Sequence, residues 1–292
     1  LINFSSVMNT VISSPSKQVW FRTLFICVSA CIVSISAVSC DSVTDTVADI
    51  VMSPSDDKNL GAQIDNEIRS NPNEYPLLNN ASANAYVQTM VNELIKAPEI
   101  KYRSLFAYKV EVIRDDKTIN AFCTPGGYIY VYTGLMKMLD NEASLAGVIG
   151  HEIAHAERRH SAKRMVNAYG VSLLLAIALG NNPTQLESLA GNLFGNLALL
   201  KNSRDDESES DEDSFKYLRS TNIWYAGGVK FFFEKIQEQS SSTAIERLLS
   251  THPLPSDRVQ AVNEMIQKAN LPTPTEATLR SVPYQAFLKT LP

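Results

Sequence analysis

The sequence holds only four cysteines in 292 residues, and three of them, Cys27, Cys31 and Cys40, lie in or at the end of one apolar stretch. A chain cut before Cys40 keeps Cys40 and Cys123 alone, from which no intramolecular disulfide framework can be read. Basic residues are in the minority, 26 against 31 acidic, for a net charge of -5; that balance gives no footprint for nucleic acid. Long apolar runs are missing from the body of the chain. Val171 to Leu179 spans nine residues before Gly180-Asn181-Asn182-Pro183, well short of the roughly 20 that cross a bilayer, so it reads as a buried core helix. No repeat with a period of 20 to 50 residues is visible, which excludes a solenoid over this sequence. What is present, 45% hydrophobic and 20% charged residues, suffices for one large folded domain.

The N-terminal 39 residues have the form of a secretory signal peptide: a basic residue, the apolar run TLFICVSACIVSISAV, small residues, then the polar DSVTDT. The run ends in Ala37-Val38-Ser39-Cys40, which resembles a bacterial lipobox with Ala in place of the usual Leu, so Cys40 is expected to carry a lipid. An uncleaved anchor and an ordinary signal cut are the alternatives. Val28-Ser29-Ala30-Cys31 also matches, but an apolar run follows it where a mature lipoprotein turns polar. Asp41 resembles an inner-membrane retention signal of enteric-type bacteria, a code that does not hold in every lineage, so the membrane stays open. Removal of residues 1–39 leaves 24 basic against 31 acidic residues.

Residues 40–58 are polar, carry Pro54, and read as a lipidated N terminus and tether. A domain over 59–270 follows, with a Pro-rich, loosely held tail over 271–292. Residues 59–70 and 82–96 have apolar positions at helical spacing. Residues 105–113 and 128–133 are β-branched and aromatic, with Pro125-Gly126-Gly127 supplying a turn between them. Helical patterns return over 141–168, 189–200 and 204–220.

His151-Glu152-Ile153-Ala154-His155 places two imidazoles four residues apart on one helical face, a spacing that can grip a single zinc ion. Glu152 then projects beside the open coordination position. Zinc lowers the pKa of its bound water to about 7, and a neighbouring carboxylate takes the proton as that water attacks a peptide carbonyl. Such a match also arises by chance on amphipathic helices, so a third ligand must be found. His160 lies nine residues after His151; at about 100° per residue it falls roughly opposite on a continuous helix. That denies it the metal and leaves a supporting or packing role. The metzincin pattern would put its third histidine where this chain has Ser161.

The acidic stretch Asp205 to Asp213 is mostly a solvated charge run. One face differs: Glu207, Asp211, Phe215 and Leu218 form a stripe at steps of four, four and three, so the turn that buries Phe215 and Leu218 also buries the two carboxylates. A buried carboxylate is costly unless it binds a metal or a partner. Glu207 is therefore the third ligand, and Asp211 orients a ligand histidine. Glu209 shares the outward face with Asp213 and Lys216.

The pairing of His-Glu-x-x-His with a later Glu-x-x-x-Asp, preceded by Ser203-Arg204, resembles the HtpX and CAAX-prenyl-protease family of zinc metallopeptidases, metallopeptidase family forty-eight, in its periplasmic lipoprotein branch. Ser210 stands where the family usually has Ala. The resemblance covers roughly residues 60–265 and implies an α+β, mainly α, zincin-like metallopeptidase domain with a small sheet beside the motif helix. Two further segments match. Asn120-Ala121-Phe122-Cys123-Thr124-Pro125-Gly126-Gly127 followed by YIYVYTGL is similar to the family's active-site strand, whose edge binds an extended peptide through its main chain. Asn120, Ala121, Phe122, Gly126 and Gly127 are the implied substrate contacts, against an ordinary core strand after a turn. Cys123 reads as a small buried residue. Thr251-His252-Pro253 is similar to the segment whose histidine plugs the zinc site in periplasmic relatives; His252 is such a plug, a donor to the developing oxyanion, or a surface histidine. Arg258 is expected to pair with an acid near the site.

The resemblance implies a lipid-anchored, periplasm-facing endopeptidase of the bacterial cell envelope, with one Zn2+ per chain, acting on unfolded or misassembled envelope proteins. The alternative is an envelope chaperone or assembly factor with a plugged, weakly active zinc site. Replacing Glu152 with Gln separates the two, since cleavage needs the base and client binding does not.

Overall fold

The computed structural model describes residues 52–169, 201–238, 246–253 and 257–292. The signal segment, Cys40 and the patterns at 171–179 and 189–200 lie outside them. Helix α1 (Pro54–Ser70) starts from a capping box in which Ser53 and Asp56 satisfy each other's backbone N–H, with Pro54 at the first helical position. The folded region thus begins before residue 59, and Met52 is already buried. Helix α2 (Ala81–Leu94) is capped by the Asn80 side chain.

Three short strands follow, β1 (Lys109–Ile113), β2 (Ala121–Thr124) and β3 (Tyr128–Tyr132), in the order β1-β3-β2, with β1 parallel and β2 antiparallel to β3. The expected strand over 105–113 is shorter than its composition suggests, because Tyr108 takes a left-handed backbone (φ 42°) and ends the extended run. Gly126 and Gly127, with φ of 74° and 82°, make the β2–β3 turn, a region that favours glycine.

The two sheet edges differ. On β1 the N–H groups of Val110 and Val112 donate to the side chains of Gln88 and Asn84 on α2, at 3.0 and 3.2 Å, and the Val112 carbonyl accepts from Leu78. That edge is closed. On β2, the Asn120 carbonyl accepts from Tyr132, so strand alternation turns the backbone groups of Ala121 and Cys123 away from β3. Among the described residues no hydrogen bond reaches those outward groups.

After α3 (Thr133–Met138) comes α4 (Glu142–Glu157), capped by Asn141 and buried on every face. It lies against β2, α6 (Arg204–Thr221) and α7 (Gly228–Glu238). Gly147 and Gly228 permit the close approach of α4 and α7, since a Cβ at the first would sit 2.4 Å from the Val229 nitrogen and one at the second 2.1 Å from the Ala143 oxygen. The helix pattern over 141–168 does not run through: α4 ends at Glu157, Arg159 has φ 55°, and α5 (His160–Tyr169) starts afresh. Helices α8 (Glu246–Thr251), α9 (Arg258–Lys268), α10 (Glu276–Leu279) and α11 (Ser281–Leu288) complete the described elements.

The segment after Asn270 is not loosely held. Tyr284 is fully buried and its hydroxyl donates to the Met136 carbonyl at 2.7 Å, Phe287 stacks on Tyr86, and Arg280 pairs with Glu142. Proline content suggested a tail, but two aromatic side chains at helical spacing supply the buried area that docks it. Among the described residues no helix is long and apolar enough to cross a membrane.

Candidate active site

Helix α4 carries His151, Glu152 and His155, and α6, which packs along it, carries Glu207 and Asp211. The Ser203–Asp206 capping box fixes where α6 begins and hence the phase at which Glu207 turns inward. The His151 and His155 Nε2 atoms face each other at 3.0 Å, and the Glu207 carboxylate lies 3.4 Å from the first and 3.2 Å from the second. His252, at the end of α8, joins them, so that one ligand atom from each of the four side chains lies within 4.8 Å of the others. All four are buried.

Two imidazole nitrogens and a carboxylate oxygen match the donor preference of zinc. A tetrahedral site with bonds of about 2.0–2.1 Å sets neighbouring ligand atoms roughly 3.3–3.4 Å apart. The separations of 3.0 Å between the imidazoles, 3.4 Å from His151 to Glu207 Oε2 and 3.2 Å from His155 to Glu207 Oε1 are close to that edge, the last two through different oxygens of one carboxylate. The residues present therefore fit one zinc ion.

A second ring of contacts holds these side chains. His151 Nδ1 donates to Asp211 Oδ1 at 2.8 Å, the carboxylate–histidine arrangement that leaves Nε2 as the ligating atom. Arg258, buried and stacked over the Phe233 ring, donates to both Asp211 oxygens and to Glu207 Oε2. The expected pairing of Arg258 thus engages both acids of the stripe. His160 is also in contact: its Nδ1 lies 2.7 Å from His155 Nδ1. Its expected position opposite His151 assumed a continuous helix, and the break at Arg159 returns it to the ligand side. Asp213, expected to face outward, is buried against Arg158.

Asn202 was not legible as a site residue. Its amide nitrogen lies 2.6 Å from Glu207 Oε1, 3.2 Å from His155 Nε2 and 3.1 Å from His252 Nδ1, while its oxygen accepts from Arg164. Its backbone N–H donates to the Thr251 carbonyl, which ties the start of α6 to the residue before His252. The one local signal is its place just ahead of the capping box, where an asparagine is unremarked.

Charge is concentrated here. Burial works against a protonated His151, yet Glu207 and Asp211 push its pKa up to about 9. Burial and then the neighbouring His151 hold His155 well below the usual value. Burial favours neutral Glu207 and Asp211, but His252 and His151 on the first, and Arg258 on the second, keep both below the ordinary carboxylate range. Burial followed by the nearby Glu152 raises the Cys123 thiol, which makes it a poor nucleophile.

Glu152 lies beside the cluster with Oε1 3.7 Å from His252 Nε2. It also lines a small, partly open pocket whose other walls include Ala121 of β2, Val148, Val229 and Phe232. Of the strand segment, Asn120, Ala121 and Phe122 run along the outer strand, whereas Gly126 and Gly127 sit in the turn with their carbonyls accepting from Ala107 and Lys109.

The chain is similar in sequence to several curated proteases. The chain is 28% identical to the Beta-barrel assembly-enhancing protease of Escherichia coli (strain K12) over 232 residues, covering 74% of this chain and 46% of the relative. It is 34% identical to Metalloprotease LoiP of the same organism over 163 residues, 54% of this chain and 61% of that one. It is 29% identical to Mitochondrial metalloendopeptidase OMA1 of Schizosaccharomyces pombe over 189 residues, 64% and 54%. The chain spans about half the length of the curated relatives it matches. A sequence model for peptidase family M48 matches residues 81–266, a stretch that contains every member of the histidine and carboxylate cluster, and the chain belongs to that family.

Proposed function

We propose that the chain is a zinc-dependent endopeptidase that hydrolyses peptide bonds in unfolded or misassembled proteins of the bacterial cell envelope, held at the membrane by a lipid on Cys40. The observation that carries this reading is the convergence of His151, His155 and Glu207 on one point, with Glu152 beside it and, along the same helix, a strand edge that no described residue pairs. Bound there, zinc would lower the pKa of a water and polarise the scissile carbonyl. His151, His155 and Glu207 hold the ion, and Asp211 and Arg258 hold the ligands. Glu152 accepts the proton from the attacking water and passes it to the departing amine.

The substrate enters as an extended strand. The outward backbone groups of Ala121 and Cys123 offer hydrogen bonds that are indifferent to substrate side chains, with Asn120 and Phe122 shaping the strand and Gly126 and Gly127 its turn. The pocket beside Glu152 is walled mainly by apolar side chains and suits an apolar residue next to the scissile bond. His252 lies 3.0 Å from Glu207 Oε1, which favours the plug over the surface reading. The name of one bacterial relative, a protease that enhances β-barrel assembly, supports the envelope setting.

The test is metal content together with casein cleavage. Zinc near one per chain, with cleavage that disappears in Glu152→Gln and leaves new termini flanked by apolar residues, supports the reading. Zinc binding with no cleavage of any unfolded substrate would move the weight to a chaperone with a closed site.

A further inference from the structure

The two ligand histidines are held by different devices. His151 Nδ1 meets a carboxylate directly, whereas His155 Nδ1 meets another imidazole, His160 Nδ1, at 2.7 Å. Two nitrogens at that distance share one proton, so one ring donates and the other accepts. His155 Nε2 faces His151 Nε2 and Glu207; if it is to offer a lone pair there, its proton must sit on Nδ1. His160 Nδ1 is then the acceptor and His160 Nε2 carries the hydrogen. That nitrogen is buried and faces α6, with Asp206 Oδ1 and Glu209 Oε2 each 3.5 Å away, near enough for charge attraction but without a hydrogen bond among the described residues.

We propose that His160 is a positioning residue: it fixes the tautomer and ring orientation of His155 by accepting its Nδ1 proton, with its own Nε2 side facing the acidic first turns of α6. The relay is a second imidazole with carboxylates of α6 facing its far side, in place of the direct carboxylate that serves His151. Three features carry it. His160 is fully buried, so water does not compete for its nitrogens. The left-handed residue Arg159 starts α5 where His160 can reach back to α4. The other candidate acceptor, Ser210 Oγ, lies farther from His155 Nδ1, at 3.2 Å.

The inference deepens the zinc reading and rests on it, so its test includes a readout that needs no metal. All four histidines of the chain are in this cluster, which makes a nitrogen-15 NMR spectrum of histidine-labelled protein assignable ring by ring. In metal-free protein His155 is expected to show the Nδ1–H form and His160 the Nε2–H form. His160→Asn retains an acceptor oxygen and should keep the His155 tautomer; His160→Leu should lose it. Zinc affinity, measured by chelator competition, should fall about 10- to 100-fold in His160→Leu and stay near the parent value in His160→Asn and Ser210→Ala.

An Nε2–H form for His155 in the parent protein would overturn the relay, as would parent-like zinc affinity in His160→Leu or an equal loss in Ser210→Ala. If His160→Leu fails to fold, the parent spectrum still decides. A protein that binds no zinc while showing the expected tautomers would sink the metal reading and leave the relay standing.

Discussion

Arg258 grips Asp211 with two hydrogen bonds, Nε to Oδ2 at 2.7 Å and Nη2 to Oδ1 at 2.6 Å, while Nη1 reaches Glu207 Oε2 at 2.7 Å. One buried cation therefore holds both Glu207 and Asp211, the carboxylates that face His155 and His151. Replacing Arg258 with Met leaves two buried carboxylates without that partner, a change that costs about 3–5 kcal/mol in comparable buried pairs. Denaturant unfolding of metal-free protein should show this loss, with added zinc recovering part of it. Unchanged stability would mean that the ion pair contributes nothing.

Glu152 is in the site without being in the ligand cluster. Glu152→Gln should leave zinc stoichiometry intact and lower peptide cleavage by about 10²- to 10⁴-fold, the usual contribution of a general base. A variant that lost zinc and activity together would make Glu152 a ligand and remove it from the role of base.

His252 touches the carboxylate of Glu207 and closes on Glu152. His252→Ala should raise casein cleavage by opening the site. A fall in turnover with unchanged KM would assign His252 instead to the developing oxyanion.

Zinc and a proton compete for the same nitrogen of His151. With its pKa pushed up to about 9, His151 is protonated at neutral pH in metal-free protein, and binding must displace that proton. The apparent zinc affinity should rise about tenfold per pH unit from pH 7 and flatten above about pH 9. Titration calorimetry at pH 7.5 in two buffers of different ionisation enthalpy should count about one proton released. Release of none would show that the cluster holds His151 neutral.

The C-terminal segment is part of the core. Tyr284→Ala removes a fully buried ring and a hydrogen bond to Met136, and should destabilise by about 3–5 kcal/mol, as large aromatic truncations do. A midpoint of denaturation equal to the parent's would restore the picture of a loose tail.

The grouping of His151, His155 and Glu207 was legible because each of its signals is local. The spacing of His151 and His155 and the stripe from Glu207 to Leu218 are helical periodicities, and the helices that carry them run unbroken through those positions. His160 was misplaced because periodicity cannot announce its own interruption: Arg159 adopts a left-handed backbone that a sequence of ordinary helix formers gives no reason to expect. Asn202 was missed because its neighbours arrive from α4 and α8, and nothing near it in sequence marks the meeting. The first turn of α1 was hidden by a proline that reads as a breaker but here occupies the first helical position, where its missing N–H costs nothing.

The break at Arg159 is not self-sufficient. Its guanidinium is buried against Asp57 of α1, with Nε 2.6 Å from Oδ2, and donates also to the Met52 carbonyl. A left-handed residue other than glycine costs roughly 1–2 kcal/mol, and here a contact across more than a hundred residues offsets it. An excised peptide spanning 141–169 lacks that anchor, so it should relax into one continuous rod that carries His160 round to the far side from His155. Transplanting the zinc-binding helix into another scaffold would then carry over the ligands but not their alignment, unless the N-terminal helix travelled with it.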